Sequence, residues 1–364
     1  MLYSSGDAWR DQRKFSLSVL RDFGVGKRSF ENQISTESGY LLDEIRAFNG
    51  QPFDPCDVIT YAVSNVINML TFGERFEYSD PEFRRLLYLL DRRMDNAGKE
   101  LLVMFMPFLL RLPFGPGQEV KTVIGEIQQR LSDIVDEHRN THDPENIRDF
   151  IDAYLCEIDR RENGLEGDEG RTISHFNSQN LVQTVEDLFL GGTQTTTTTL
   201  RWAMLYLVAF PSVQDKIHDE LDRVVGIDRL PKMSDKPNLP YVVATINEIQ
   251  RYACITYILG LRATYVEASI GGYRIPARTA LVQNIWSVSR DESVWEDPLE
   301  FRPERFLDED GSVIKREEQL AFGAGKKPCE IDRLFMLFSN NNNQALRFSL
   351  RLLHHLTLCF VRLL

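Results

Sequence analysis

Apolar residues recur at three- and four-residue spacing along most of the chain, and that period predicts helices. The first runs over residues 7–23 and begins at Asp7, with Trp9 and Arg13 one turn apart on the same face. Helical periodicity continues to about residue 98, with breaks at residues 50–55 and 79–81, where glycine and proline gather. Residues 101–110 are almost uniformly apolar, followed by Arg111, Pro113, Gly115, Pro116 and Gly117. On pattern alone this stretch is a core strand or the end of a core helix. A long amphipathic helix follows over residues 118–139, and the acidic, glycine-bearing residues 160–170 read as an exposed linker within one helical domain.

Residues 178–210 predict the longest helix. Leu181, Val185, Leu188, Gly192, Thr195, Thr199, Trp202 and Tyr206 fall on one inward stripe. Helices over residues 211–226 and 241–252 come next, the second carrying Glu248 and Arg251 at pairing distance, although most such pairs only decorate a surface. The period then shortens to two in residues 259–264 and 268–276, which turn at Gly271 and Gly272, and residues 279–284 follow as a further strand. Residues 296–321, rich in Pro, Asp and Glu, form an irregular meander ordered chiefly by packing.

Composition narrows the function. The chain has 364 residues, 43% of them hydrophobic, enough for a large packed core. Its 42 Lys and Arg against 54 Asp and Glu leave a net charge of −12, which argues against a nucleic-acid partner. Five dispersed cysteines (Cys56, Cys156, Cys254, Cys329 and Cys359) point to a reducing compartment without a disulfide frame. His138 and His142 have zinc-ligand spacing, but no catalytic Glu lies between them and no third ligand is evident; a solvated helix end is the default. No signal peptide or membrane-spanning run opens the chain, and the apolar residues 101–110 are too few to cross a bilayer.

Two stretches carry candidate chemistry. Residues 320–329 read Leu-Ala-Phe-Gly-Ala-Gly-Lys-Lys-Pro-Cys, where Phe322, Gly323 and Gly325 describe a tight loop. Pro328 stiffens the approach to Cys329, and Lys326 and Lys327 favour its thiolate, the ligand form. A lone thiolate on a rigid loop suits a cofactor that brings its other ligands, as haem does; an inert buried cysteine stays open on these residues alone. A phosphate loop would need glycine at Leu320 and Ser or Thr at Lys327. In the long helix, Gly191 and Gly192 each cost about 1 kcal/mol relative to alanine. The five threonines 195–199 add β-branched strain and hydroxyls that bond back to the preceding turn. Such a helix makes sense where it bulges and lets a flat ring and a small ligand come close.

The loop resembles the haem loop of the cytochrome P-450 family, Phe-Gly-x-Gly-x-Arg-x-Cys-x-Gly. Phe322, Gly323, Gly325 and Cys329 match, Lys327 takes the arginine place, and Ile331 replaces the last glycine. The segment Gly191-Gly-Thr-Gln-Thr-Thr196 is similar to the family's oxygen-activation motif, Ala/Gly-Gly-x-Asp/Glu-Thr-Thr. With Trp9-x-x-x-Arg13 and the pairing of Glu248-x-x-Arg251 with Arg305, four motifs occur in family order over residues 9–329. The wording is closest to animal microsomal members that oxidise fatty acids and xenobiotics.

The resemblance implies a mainly α fold with a small β region, a single P-450-like domain over residues 1–364, incomplete at both ends. It implies haem as cofactor, with Cys329 as the iron ligand. Trp9, Arg13, Gly192, Arg262, Phe322, Gly325 and Lys327 are its further haem-binding positions; Arg13 and Arg262 face propionates. Thr195 would bond dioxygen and assist proton delivery. Gln194 replaces the usual acid, and an amide orders water without acting as an acid. Slower, leakier turnover is therefore expected, with Gln194→Glu restoring product yield. Electrons would come from NADPH through a flavoprotein reductase, steered by Arg10, Arg13, Lys14, Lys326 and Lys327. Residues 101–117 become the loop between two lid helices, touching the membrane surface and admitting a lipophilic substrate. The implied location is the cytoplasmic face of the endoplasmic reticulum membrane, with no anchor in this chain. The family's N-terminal anchor, first helices and first strands are absent, and a Leu- and Arg-rich tail (residues 346–364) follows the low-complexity residues 340–343. A truncated, non-catalytic remnant with impaired haem binding is the alternative expectation.

Overall fold

Prolines and short polar caps decide where the helices begin. In the computed structural model, which describes residues 6–24, 28–164, 175–264 and 266–321, helices α1 (Gly6–Asp22), α2 (Arg28–Ala47) and α3 (Cys56–Thr71) come first. Helix α4 (Pro81–Asp95) shows the start signal most fully. Asp80 accepts the backbone N–H groups of Glu82 and Phe83 at 2.8 and 2.9 Å, and Pro81 fills the first position, where no N–H is needed. Helix α5 (Ala97–Phe105), a 3₁₀ turn (Pro107–Arg111), α6 (Pro116–Thr141) and α7 (Phe150–Gly164) follow. Helix α8 spans Ser178–Ala209. Two compact units divide within it, between Gln194 and Thr195.

The first unit packs α2 on α3, and α4 and α5 on α6. Leu20, Ile59, Ile67, Leu90, Ile127 and Leu131 are fully buried there. Phe15 meets Phe150, Tyr154 and Phe176 edge-on, with ring centroids 5.2 to 6.2 Å apart. In the second unit, α9 (Pro211–Val224) ends before Gly226 at φ +75°, and α10 (Pro240–Ala253) before Cys254 in the left-handed region. Strand β1 (Ile258–Ala263) pairs antiparallel with β4 (Ala280–Asn284), and β2 (Ala268–Ile270) with β3 (Tyr273–Ile275) across the Gly271–Gly272 turn. After α11 (Ile285–Ser289), the segment to residue 321 is irregular apart from the 3₁₀ turn Pro303–Phe306, which packs on α10. Tyr206, Phe210, Tyr252 and Phe301 form its aromatic centre. Mainly helical with a small β region, the described residues have the expected fold class.

Several sequence expectations need correction. The apolar residues 101–110 are not core: they lie in α5 and the following 3₁₀ turn, with Phe105 64% and Phe108 58% exposed. Residues 160–164 continue α7 rather than starting a linker, and residues 165–170 lie outside the described set. Trp202 leaves the inward stripe, 38% exposed, and stacks on Tyr206 at 5.3 Å. No bulge interrupts α8; every residue from 178 to 209 is α-helical. His138 does not end a helix in solvent, as its contacts below show.

Candidate active site

Helix α8 presents the predicted oxygen-side residues. Gly191 and Gly192 are buried, and the half-buried Gln194 and Thr195 follow. Gly192 and Thr195 are three apart and share a face. The threonine run behaves partly as its chemistry dictates: Thr199 Oγ1 donates to the Thr195 carbonyl at 2.8 Å. Thr193 and Thr197, 0% and 1% exposed, hold buried hydroxyls without a hydrogen-bond partner among the described residues. Gln194 Nε2 donates to Asp91 Oδ1 of α4 at 2.8 Å. Sequence reasoning missed Asp91, since nothing local ties it to a residue 103 positions away.

The N-terminal half of α8 is anchored by charge. Arg93 of α4 (5% exposed) forms an ion pair with Glu186 of α8 (1% exposed) and reaches Glu100 of α5 at 3.3 Å. On α1, Trp9 is buried, and the half-buried Arg13 guanidinium lies over its ring, 5.2 Å from the centroid. Between them Gln12 is 3% exposed. It donates to the His175 carbonyl at 2.6 Å and accepts from the Tyr154 hydroxyl at 2.8 Å, holding α1 on α7 and fixing where Arg13 emerges.

In the second unit the Glu-x-x-Arg pair is buried, as the resemblance implied. Arg251 reaches both Glu248 oxygens, at 2.7 and 2.8 Å, and Arg305 joins Oε1 at 3.0 Å. Burial holds the Arg305 guanidinium below its ordinary pKa, with the neighbouring Arg251 charge adding and Glu248 opposing. Arg262 lies on β1, its backbone in register with Leu281 of β4. The haem-loop positions Phe322, Gly325, Lys327 and Cys329, with Lys326 and Ile331, lie outside the described residues.

His138, set aside as a zinc ligand by sequence, sits in a dense polar cluster. Its Nδ1 faces the Ile134 carbonyl at 2.8 Å; its Nε2 faces Asp149 Oδ2 at 3.0 Å and the Phe72 carbonyl at 3.3 Å. Asp149 and Asp152 complete a set whose ligand atoms lie within 4.8 Å. Asp152, however, is held by Arg148 at 2.6 and 2.9 Å, and His142 faces Asp159 at 3.6 Å instead. A guanidinium and an imidazole already occupy these carboxylates, so the cluster is an ion-pair network.

What the described residues offer fits a flat, carboxylate-bearing macrocycle. Gly192 adds no side chain to the face it shares with the Thr195 hydroxyl, and Arg13 is a planar fork suited to a propionate. Fold and site together define a helical, haem-protein-like scaffold built around one long threonine-rich helix. Comparison with known proteins identifies the family. The Cytochrome P450 family model matches residues 1–330, and the chain belongs to that family. It is similar to Cytochrome P450 2U1 of Homo sapiens, 40% identical over 331 residues, covering 90% of this chain and 60% of the relative. Cytochrome P450 2J2 of Homo sapiens is 39% identical over 331 residues, covering 90% and 64%. Cytochrome P450 2J5 of Mus musculus is 39% identical over 346 residues, covering 93% and 67%. The chain thus spans about 60% of the length of the first of these relatives.

Proposed function

We propose that the chain is a haem-thiolate monooxygenase that inserts one oxygen atom from dioxygen into a lipophilic substrate, a fatty acid or xenobiotic. Family membership supports the reaction class. The observation that carries the site assignment is the unbroken α8, with Gly192 and Thr195 on one face. The same continuous helix supports reading both units as one domain.

Cys329 would hold the iron, with Phe322, Gly325 and Lys327 shaping its loop. Arg13 and Arg262 would bind the propionates, and Trp9 supports Arg13 by stacking. Bound haem supplies the redox chemistry of oxygen activation, favoured by the thiolate's electron density. The chain's own task is to exclude bulk water, orient the substrate and deliver protons. The Thr195 hydroxyl can both accept and donate a hydrogen bond, so it can pass a proton without keeping a charge. Gln194 can order a water beside it.

Electrons would come from NADPH through a flavoprotein reductase that docks on a basic surface including the exposed Arg10 and Lys14. No helix among the described residues is long and apolar enough to cross a membrane. Leu101, Met104, Phe105, Met106 and Phe108 nevertheless form an exposed apolar surface, 45–64% accessible, suited to peripheral contact with the endoplasmic reticulum membrane. Ferrous-carbonyl difference spectroscopy tests the central reading. The thiolate band is expected for the native chain and should vanish in Cys329→Ser. A chain that takes up no haem, or a band unchanged in that variant, overturns it.

A further inference from the structure

Helix α8 lacks an acid at Gln194, and the acid stands one hydrogen bond away. The inference rests on the monooxygenase reading above. With its NH₂ group turned to Asp91, Gln194 has its carbonyl Oε1 as the acceptor for a water or hydroxyl on the Thr195 side. Asp91 itself is exposed, so it can take protons from solvent. Its surroundings are defined: Asp95, Arg92 and Tyr88 flank it on α4, with Arg92 Nη1 donating to the Tyr88 hydroxyl at 3.3 Å. Tyr61 of α3 faces it, its phenol pushed up by burial, with the charges of Asp57 and Asp91 adding and Arg84 opposing.

We propose that Asp91 is the displaced acid of this site, a positioning residue that fixes the Gln194 amide and supplies protons to the water it orders. Each cycle is balanced. Asp91 takes a proton from bulk water, passes it to the water at Gln194 and ends as the carboxylate it began; no electron moves and no bond to carbon changes. The carboxylate has moved from α8 to α4, and the helix residue has become the donor that holds it.

This changes the expectation for Gln194→Glu. A second carboxylate would meet Asp91 at hydrogen-bond distance, and the two would share one proton. Urea unfolding reads this without haem. The Gln194→Glu midpoint should match wild type near about pH 5 and fall progressively to about pH 8, as the shared proton is lost. Adding Asp91→Asn should remove that fall. In the haem-loaded chain, Asp91→Asn keeps an acceptor for the amide but loses the acid. It should release several-fold more peroxide per product, increasingly so as pH rises, with Asp91→Glu restoring the native ratio. A pH-independent Gln194→Glu midpoint in a chain that takes up haem normally overturns the pairing. An unchanged peroxide ratio in Asp91→Asn overturns the proton role. Absence of haem uptake in every variant overturns the monooxygenase reading, and the proton role of Asp91 with it.

Discussion

His138 offers the sharpest test of how the first unit is held together. Both ring nitrogens face acceptors only: the Ile134 carbonyl on one side, Asp149 and the Phe72 carbonyl on the other. A neutral imidazole has a single N–H, so only the imidazolium satisfies this set. Burial opposes the charge. The Asp149 hydrogen bond and charge, the Ile134 carbonyl and Asp152 outweigh it, and the ring's pKa lies above its ordinary 6.5. Asp149 is 1% exposed and also caps α7, accepting the Asp152 N–H at 2.9 Å. Removing the imidazolium therefore strands a buried carboxylate. The loss of one partner of a buried pair costs about 3–5 kcal/mol, and with His138 still 12% exposed the lower end, about 3 kcal/mol, is expected for His138→Ala. The sign follows from linkage. The folded state binds the proton more tightly than the unfolded chain, so this stability is complete below the ordinary histidine pKa and is lost as pH rises through the folded value. Urea unfolding of wild type and His138→Ala at a series of pH values measures it: the gap should be widest on the acid side of neutrality and narrow toward pH 9. Asp149→Asn should keep the cap, offer the ring an N–H instead of an acceptor and abolish the pH-dependent part. A gap that stays constant, or widens with pH, refutes the charged-ring account.

Gly73→Ala should destabilise by about 1–3 kcal/mol in the same assay, because φ is +73° and a Cβ would stand 2.8 Å from Asp149 Oδ2; a neutral result would show that the turn relaxes freely. Glu248→Gln should cost about 3–5 kcal/mol by leaving two buried guanidinium groups without a carboxylate, and a loss below about 1 kcal/mol would exclude the triad as a keystone. Phe105→Ser with Phe108→Ser should weaken sedimentation with phosphatidylcholine vesicles without lowering the unfolding midpoint, both rings being exposed; unchanged sedimentation would remove the membrane role of this surface.

Local chemistry was legible in the sequence wherever the signal was itself local. Proline and glycine marked the ends of α9 and the breaks before α3 and α4; the period of three to four located α8 within a residue. The family motifs identified the Glu248, Arg251 and Arg305 cluster that the structure assembles. What escaped needed a distant partner or a missing one. His138 and His142 looked like a pair because they share a helix, but the acceptors of His138 come from Phe72 and Asp149, 66 and 11 residues away. Residues 101–110 looked like core because hydropathy registers the wish to leave water without saying what will cover the surface. The role of Gln194 was legible as a lost acid; the replacement was not, since it lies on another helix.

The buried triad also explains how an irregular segment stays ordered without a ladder of its own. Two guanidinium groups carry more donors than one carboxylate can accept, and the surplus goes to backbone carbonyls. Arg251 donates to Ser289, Pro298 and Glu300, at 2.8 to 3.1 Å; Arg305 donates to Glu296, Asp297 and Glu300, at 2.7 to 3.1 Å. Glu248 takes the Arg302 N–H at 2.8 Å as well. Backbone groups that a strand would satisfy by pairing are satisfied here by side chains of α10 and of the meander itself. Apolar burial alone could not select this path, because Trp295 and Phe306 fix only its two ends, packed together around Ala244. The carboxylate at Glu248 orients both arginines, and the arginines impose the chain's course between those ends. Charge placed at three positions, 248, 251 and 305, thus does for residues 289–305 what hydrogen-bond periodicity does for a helix.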